Sequence, residues 1–497
     1  MDHFSGFLEF NWAMDGYGQA TEQFSAWLSE VAGVRMSPKI AISDLRNFNQ
    51  GRCVVAREAI EGQEVLFEIP RSAILNVGTS RLTEKYPGIR GRLLEEIGHW
   101  EGLVLCMLYE MKVLNIQSRW WAYFQVLPRP DEVNSLMFWN DEQLEGLKPS
   151  LIVERVGVAE AKQMYERVLQ YVEESGVEEL GSVSWSDFVY VASVIMSYSF
   201  DVELVDAEPN EEQELSSVKN DGYMKSMIPL ADTLNANTSK CNANLVYDIE
   251  SLKMCATKPI GMGEQVYNIY GDHPNSELLR RYGYVEWEGS KYDFGEVPMA
   301  TLVNVIHQKF QWDIEHLTQL IDIIRDNETI GDELQGENIV LHAYDCYSDG
   351  QIIPECVVLL QIMVTFLQIS EARTLDRPAV ERTLLRVVKK CFQLVESGRI
   401  TKNCARMIEY VIDARLREYP SHAFREITPD HYSIPDIESL RQRMTEKVLQ
   451  SEVDSLQNCF QSVEENFKLI ADSKLLENIS KRKLPVKKFK TMKKVKR

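Results

Sequence analysis

The sequence predicts an α+β fold in which a β-rich region is split by a long helical segment and followed by a second helical half. Three observations carry this. Short β-prone runs bounded by turns occur in two blocks, near 52–70 and across 227–284. Between them, and again from Ala300 to about Ile470, apolar residues recur at helical spacing. The 497 residues are 44% hydrophobic and 26% charged, an ordinary globular composition with material for more than one core.

The elements follow in order. Residues 23–31 read as a short helix with Phe24, Trp27 and Leu28 on one face. Residues 52–56 are a β-prone run, Glu61-Gly62 is a turn, and 64–69 is a second run ending at Pro70. From 90 to 198 the pattern is helical: Trp100, Leu103, Met107 and Met111 share a face, as do Val191, Ile195 and Tyr198. An acidic loop at 206–214 contains Pro209. The β texture returns with strands at 244–247 and 252–256, and the turn Gly261-Met262-Gly263 leads into 265–267. The two blocks echo each other: Ala56, Ile60, Gly62, Glu64 and Val65 against Ala256, Ile260, Gly263, Glu264 and Val266. Two hairpins sharing turn chemistry would produce this, and so would two halves of one small β domain. Beyond Ala300, Val358, Ile362, Phe366 and Ile369, then Leu384, Val388 and Phe392, mark helices of an all-α region. From Lys474 no periodicity remains, and disorder is expected.

Charge and cysteine usage narrow the function classes. The net charge is −21, so nucleic-acid binding by the whole surface is disfavoured. The balance is uneven: residues 481–497 hold 10 Lys or Arg and no acid, which leaves residues 1–480 at −31. Nine widely spaced cysteines without a Cys-x-x-Cys read as reduced thiols of an intracellular protein, not a disulfide frame or zinc cluster. No metal is expected. The first 20 residues lack a signal pattern, and the apolar run at 356–369 carries Gln361 and Gln368, which suits a buried helix and not a membrane span.

Three segments could carry chemistry. In 228–244, Asp232, Asn235, Asn237, Asn242 and Asn244 crowd beside Ile228, Leu230 and Leu234. Such amides bind a polar ligand's edge or satisfy turn backbone. In 267–284, Tyr270-Gly271 and Tyr282-Gly283 flank a short helix at 275–281. Tyrosines so placed line a narrow channel or sit half-buried in a core. The third is Gln50-Gly51-Arg52-Cys53, where glycine lets backbone approach a ligand before a strand.

Together and in this order, these segments resemble the SET-domain protein lysine methyltransferases, in particular the Rubisco large-subunit methyltransferase-like class. Within it the sequence is most similar to the ribosomal-protein lysine methyltransferases of fungi and their animal relative. The likeness rests on Ser37-Pro38-Lys39, Met196-Ser197-Tyr198-Ser199-Phe200, residues 228–235 and Cys241-Asn242-Ala243-Asn244-Leu245, and spans about 21–470. It implies an N-terminal extension (1–20), a split SET domain (21–290) with a helical insert at about 90–220, an all-α substrate-binding domain (291–470) and a basic tail (471–497). It also implies S-adenosylmethionine as cofactor and a lysine of a basic protein, a 60S ribosomal protein, as substrate. A catalytically silent SET-like binding module, or a methyltransferase of a non-ribosomal nuclear protein, are the competing readings.

The same resemblance assigns roles to residues. Gly51, Arg52 and Cys53 match a cofactor-holding Gly-x-Gly turn whose second glycine is here Cys53. Asn235 matches the Asn of an Asn-His cofactor motif whose His is here Ala236. Tyr282 matches the catalytic tyrosine, which also meets the cofactor, and Tyr270 its channel partner. Tyr198 is placed near the cofactor, and Trp100, Ser199 and Tyr270 near the substrate. The implied chemistry needs positioning more than reactive groups. Neutralising a lysine at pH 7 costs roughly 4–5 kcal/mol, given a reference pKa of about 10.4. A sulfonium charge and an apolar channel both lower that pKa, and alignment with exclusion of water does the rest. An acidic body attracts a basic protein, although acidity also serves solubility alone. The basic tail suits nuclear import, with RNA binding as the main rival. A monomer of the nucleus, or of nucleus and cytoplasm, that engages import machinery and no membrane is the resulting expectation.

Overall fold

The computed structural model describes residues 16–48, 50–203, 222–427 and 436–480. The chain forms two units: Met1–Asp293 with Arg425–Gln450, and Phe294–Phe424 with Ser451–Arg497.

The first unit opens with a helix at Tyr17–Glu30 that buries Ala20, Phe24, Trp27 and Leu28. It starts six residues before the run legible in the sequence, because Gly18 dilutes the helical pattern there. The segment assigned to an extension before residue 21 therefore contains the helix's first turn. Short strands follow: β1 (Arg35–Met36), β2 (Ile40–Asp44), β3 (Arg52–Ala56) and β4 (Val65–Pro70). After a helical stretch come β5 (Ser199–Glu203), β6 (Tyr223–Met227), β7 (Ala243–Tyr247) and β8 (Ser251–Ala256). All pair antiparallel, as a four-stranded sheet β1-β4-β8-β7 and two hairpin-like pairs, β2-β3 and β5-β6. In the sheet Ile69 lies opposite Leu252, so strands almost two hundred residues apart in sequence meet directly.

That junction explains the echo between the two β blocks. Ile60 and Ile260 exchange both backbone hydrogen bonds at 3.0 Å. Ala56 N–H donates to the Glu264 carbonyl and Ala256 N–H to that of Glu64, both at 2.9 Å. Gly263 donates to Ala56 and Gln63 to Ala256, each at 2.8 Å. The hairpins thus share turn chemistry because each completes the other across a local two-fold relation. Helices between β4 and β5, notably His99–Leu108 and Trp185–Tyr198, are buried along most of their length and join the strands in one core. The acidic loop at 206–214 lies outside the described residues.

The second unit is predominantly helical. Helix Pro354–Leu367 is buried from Cys356 onward, and Gln361 within it is satisfied: its carbonyl accepts from Thr401 N–H at 2.8 Å and its amide donates to Thr365 Oγ1 at 2.9 Å. Two small strand pairs join the expected helices: β9 (Phe294–Pro298) with β10 (Ala343–Tyr347), and β11 (Arg399–Thr401) with β12 (Lys468–Ile470). The stretch expected to be disordered from about 471 instead begins with a helix, Asp472–Ser480, whose Leu475 and Ile479 are buried one turn apart. Three apolar residues in a nine-residue run, Leu475, Leu476 and Ile479, are too weak a pattern to read in sequence. The basic tail proper, 481–497, lies outside the described residues. Among the described residues no helix is long and apolar enough to cross a membrane, and no group of three or more metal-binding side chains gathers.

Candidate active site

Two helices end at the site. Trp185–Tyr198 closes with Tyr198, and Asn275–Tyr282 closes with Tyr282. Ser197 Oγ donates to the Arg281 carbonyl at 2.7 Å, which staples one helix end to the other. Beyond Tyr282 the helix is capped by Gly283 at φ +72°. Glycine is required there on two counts, since a Cβ would also lie 2.6 Å from the Asn134 carbonyl carbon. Asn134 Nδ2 donates to the Gly283 carbonyl at 2.9 Å and fixes this approach.

The Tyr270 and Tyr282 rings pack at a tilt of 37° with centroids 4.8 Å apart. Tyr282 Oη donates to the Tyr270 carbonyl at 3.1 Å, and Tyr270 Oη donates to the Leu234 carbonyl at 2.7 Å. Both hydroxyl hydrogens are thereby committed, so the oxygens present lone pairs to anything that enters. Tyr284 meets Tyr270 edge-on at 6.1 Å and Tyr282 at 6.4 Å. Among the described residues its buried hydroxyl has no hydrogen-bond partner. Burial pushes the pKa of Tyr198, Tyr270, Tyr282 and Tyr284 above the ordinary phenol value, so all four stay neutral at pH 7.

The asparagine-rich segment forms the facing wall. Asn235 Nδ2 donates to Gln265 Oε1 at 3.0 Å, and the Asn235 carbonyl accepts from Asn268 N–H at 2.9 Å. Asn237 N–H donates to the Asn268 carbonyl at 3.2 Å. In this parallel bridge Ala236 is the residue facing Asn268, and its own N–H and C=O stay outside the pairing. The absence of a histidine side chain therefore leaves the backbone donor and acceptor in place.

Tyr198, Asn235, Ala236, Tyr270, Tyr282 and Gly51 converge on one cavity of about 450 Å³. Gly51 adopts φ +64° just before β3, the left-handed conformation that favours glycine. Cys53 does not occupy such a turn. It lies within β3 opposite Ser43, fully buried, and burial pushes its thiol up to about 11.

Four residues assigned from the resemblance do not line this cavity with their side chains. Arg52 points into the first helix, donating to Thr21 Oγ1 at 2.9 Å and the Val126 carbonyl at 3.1 Å, with its guanidinium 3.7 Å over the Tyr17 ring. Cys53 is enclosed in the strand pair. Ser199 begins β5 opposite Met227. Trp100 lines a separate cavity of about 730 Å³ together with Phe188, Met196 and Arg281, because its helix faces the other side of the staple formed by Ser197 and Arg281. Sequence reasoning also missed contributors. Tyr284, two residues past Tyr282, was visible in the Tyr-Gly-Tyr run. Asn134 and the apolar Leu440 and Met444 on helix Ile437–Asn466, which also line the cavity, lie too far away in sequence for any local pattern to reveal them.

Comparison with known proteins places the chain. The SET domain family model matches residues 51–271. Ribosomal lysine N-methyltransferase 4 of Saccharomyces cerevisiae is 49% identical over 95% of this chain and 97% of its own length. N-lysine methyltransferase SETD6 of Rattus norvegicus is 30% identical over 63% of this chain and 65% of its own length. Among solved structures, the SET domain of LSMT bound to lysine and AdoHcy superposes with a TM-score of 0.59 at 17% identity, covering 92% of this chain and 95% of that one. Rubisco LSMT bound to AdoMet gives 0.58 at 16% identity, with the same coverage.

Proposed function

The chain belongs to the SET-domain protein-lysine N-methyltransferases, and from that premise we infer that its tyrosine-lined cavity methylates a lysine of a large-subunit ribosomal protein with S-adenosylmethionine. The observation that carries this reading is the meeting of Tyr198, Tyr270 and Tyr282 with the Asn235-Ala236 segment on one cavity. The substrate class is supported by the extent of identity to a relative named as a ribosomal lysine methyltransferase.

The residues present fit the cofactor. Gly51 lets the backbone approach it closely, Ala236 offers an N–H and C=O that lie outside its bridge to Asn268, and the Asn235 side chain is held ready by Gln265. S-adenosylmethionine, when bound, would supply a sulfonium methyl group: the lysine nitrogen bonds to that carbon in line as the carbon–sulfur bond breaks, and S-adenosylhomocysteine leaves as the neutral thioether. The chain's own residues orient that nitrogen. Tyr270 and Tyr282, with their hydrogens committed, accept N–H bonds from a neutral amine and leave its lone pair directed at the methyl group. Their aromatic bodies exclude water and disfavour the charged lysine, which lowers its pKa. Neither tyrosine is ionised at pH 7, so their work is orientation, not proton abstraction.

Tyr282→Phe removes one acceptor and keeps the ring. It is expected to lose most methyl transfer, about 100-fold in kcat, while the dissociation constant for S-adenosylmethionine stays near that of the wild type. Wild-type turnover by purified Tyr282→Phe rejects the assignment. We also propose that the enzyme works in the nucleus, on the strength of the ten basic residues in 481–497. A chain ending at Ser480 is expected to lose its nuclear signal on imaging; an unchanged distribution rejects import through the tail.

A further inference from the structure

Three features meet on the segment that leads into Asn235. Leu230 is held at φ +77°, ψ −42°, a γ-turn-like conformation that a residue with a Cβ keeps only where its surroundings enforce it. The single turn that follows, Ala231–Thr233, carries the buried Asp232. The Asp232 carboxyl accepts the hydroxyl hydrogen of Tyr123, which is wholly buried on the helix Trp121–Phe124. Next comes Leu234, whose carbonyl receives the Tyr270 hydroxyl at 2.7 Å. Asn235 has separate anchors in Gln265 and Asn268. The cofactor side of the segment is thus pinned independently, whereas the Tyr270 hydroxyl is oriented through Leu234.

We propose that Tyr123 and Asp232 are positioning residues for methyl transfer: the bond between them holds the strained turn at Leu230 in place and so sets the Leu234 carbonyl that orients the Tyr270 hydroxyl. The inference rests on Tyr270 lining the lysine channel. Neither Tyr123 nor Asp232 lines the cavity itself, so both act through other groups. The arrangement links the helical insert to the asparagine-rich motif at a point with no slack. Tyr123 packs against Phe24 at 6.1 Å and Phe124 at 5.8 Å, and its ring has no room to follow a drifting turn.

The test compares variants by steady-state kinetics, cofactor affinity and thermal unfolding. Tyr123→Phe is expected to lower kcat about ten-fold or more, because displacing an aligning group by up to 1 Å costs as much as about 100-fold. The KM for protein substrate and the dissociation constant for S-adenosylmethionine should stay within about three-fold, the mark of an interaction felt in the transition state. Asp232→Asn keeps a carbonyl oxygen for Tyr123 and should hold kcat within about three-fold of wild type. The double variant Tyr123→Phe/Asp232→Asn, whose carbonyl oxygen still serves the Leu230 N–H and the Thr233 hydroxyl, decides the matter if Tyr123→Phe fails to fold. A folded Tyr123→Phe or double variant with wild-type kcat overturns the proposal. So does a loss confined to cofactor affinity. Tyr270→Phe is measured alongside. If it too keeps wild-type kcat, the reading of the cavity fails; if it is slow while Tyr123→Phe is fast, only the positioning pair is rejected.

Discussion

Asp232 carries a carboxyl that burial pushes up to about 7, well above the ordinary aspartate value. Its folded-state pKa exceeds its unfolded one, so the folded protein holds this proton more tightly. The contribution to stability is complete below about pH 4 and is lost as the pH rises through 7. Asp232→Asn, which never ionises, should therefore gain stability relative to wild type between pH 4 and pH 7, by up to about 4 kcal/mol, and the gap should level off above that. Urea unfolding of both proteins across that range checks this, and a gap independent of pH contradicts it. Gly51, Asn235, Tyr270 and Tyr282 were legible in sequence because each sits in a local pattern: a glycine before a strand, an amide in a turn, tyrosines preceding glycines. Trp100 and Ser199 lie off the tyrosine-lined cavity for the opposite reason. Which way a side chain points from a helix or strand depends on tertiary packing, and local spacing gives the face without naming its neighbour.

The helix Asn275–Tyr282 shows how an element delivers a side chain. Its C-terminal glycine is both the cap and the point of contact with Asn134. Gly283→Ala should cost roughly 2 kcal/mol or more, from the positive φ together with the steric overlap. It should also slow methyl transfer by shifting Tyr282 against Tyr270. A melting curve paired with a turnover assay tests both effects, and unchanged values in both would show that the contact does not position the helix. Strands β3, β4, β7 and β8 were read closely from β-prone runs and turns, whereas β1, β2, β5 and β6 were not, and the run at 265–267 forms only an isolated bridge at Gln265. The partners of the strands could not be read. The pairing of Ile60 with Ile260 was foreshadowed by the echo between the two blocks, yet an echo does not distinguish repeated turns from mutual pairing. Helix Tyr17–Glu30 was clipped at its start by Gly18, and helix Asp472–Ser480 was missed because only Leu475 and Ile479 mark its buried face.

At the scale of the whole molecule, the fold is that of a SET domain with a helical C-terminal region, and the family and its cofactor were recognisable from the order of three short segments. Order carried more than any one motif, since two motif positions are altered, at Cys53 and Ala236. The structure gives both substitutions a physical account: Cys53 needs no positive φ, and Ala236 keeps its backbone groups. The most direct measurement of the central claim is mass-spectrometric analysis of purified large-subunit ribosomal proteins after incubation with the full-length enzyme and isotopically labelled S-adenosylmethionine. The account predicts label on the ε-nitrogen of a lysine in one of those proteins, strongly reduced when Tyr282→Phe replaces the wild type. A wild-type enzyme that binds S-adenosylmethionine and yet leaves every lysine unlabelled would contradict it.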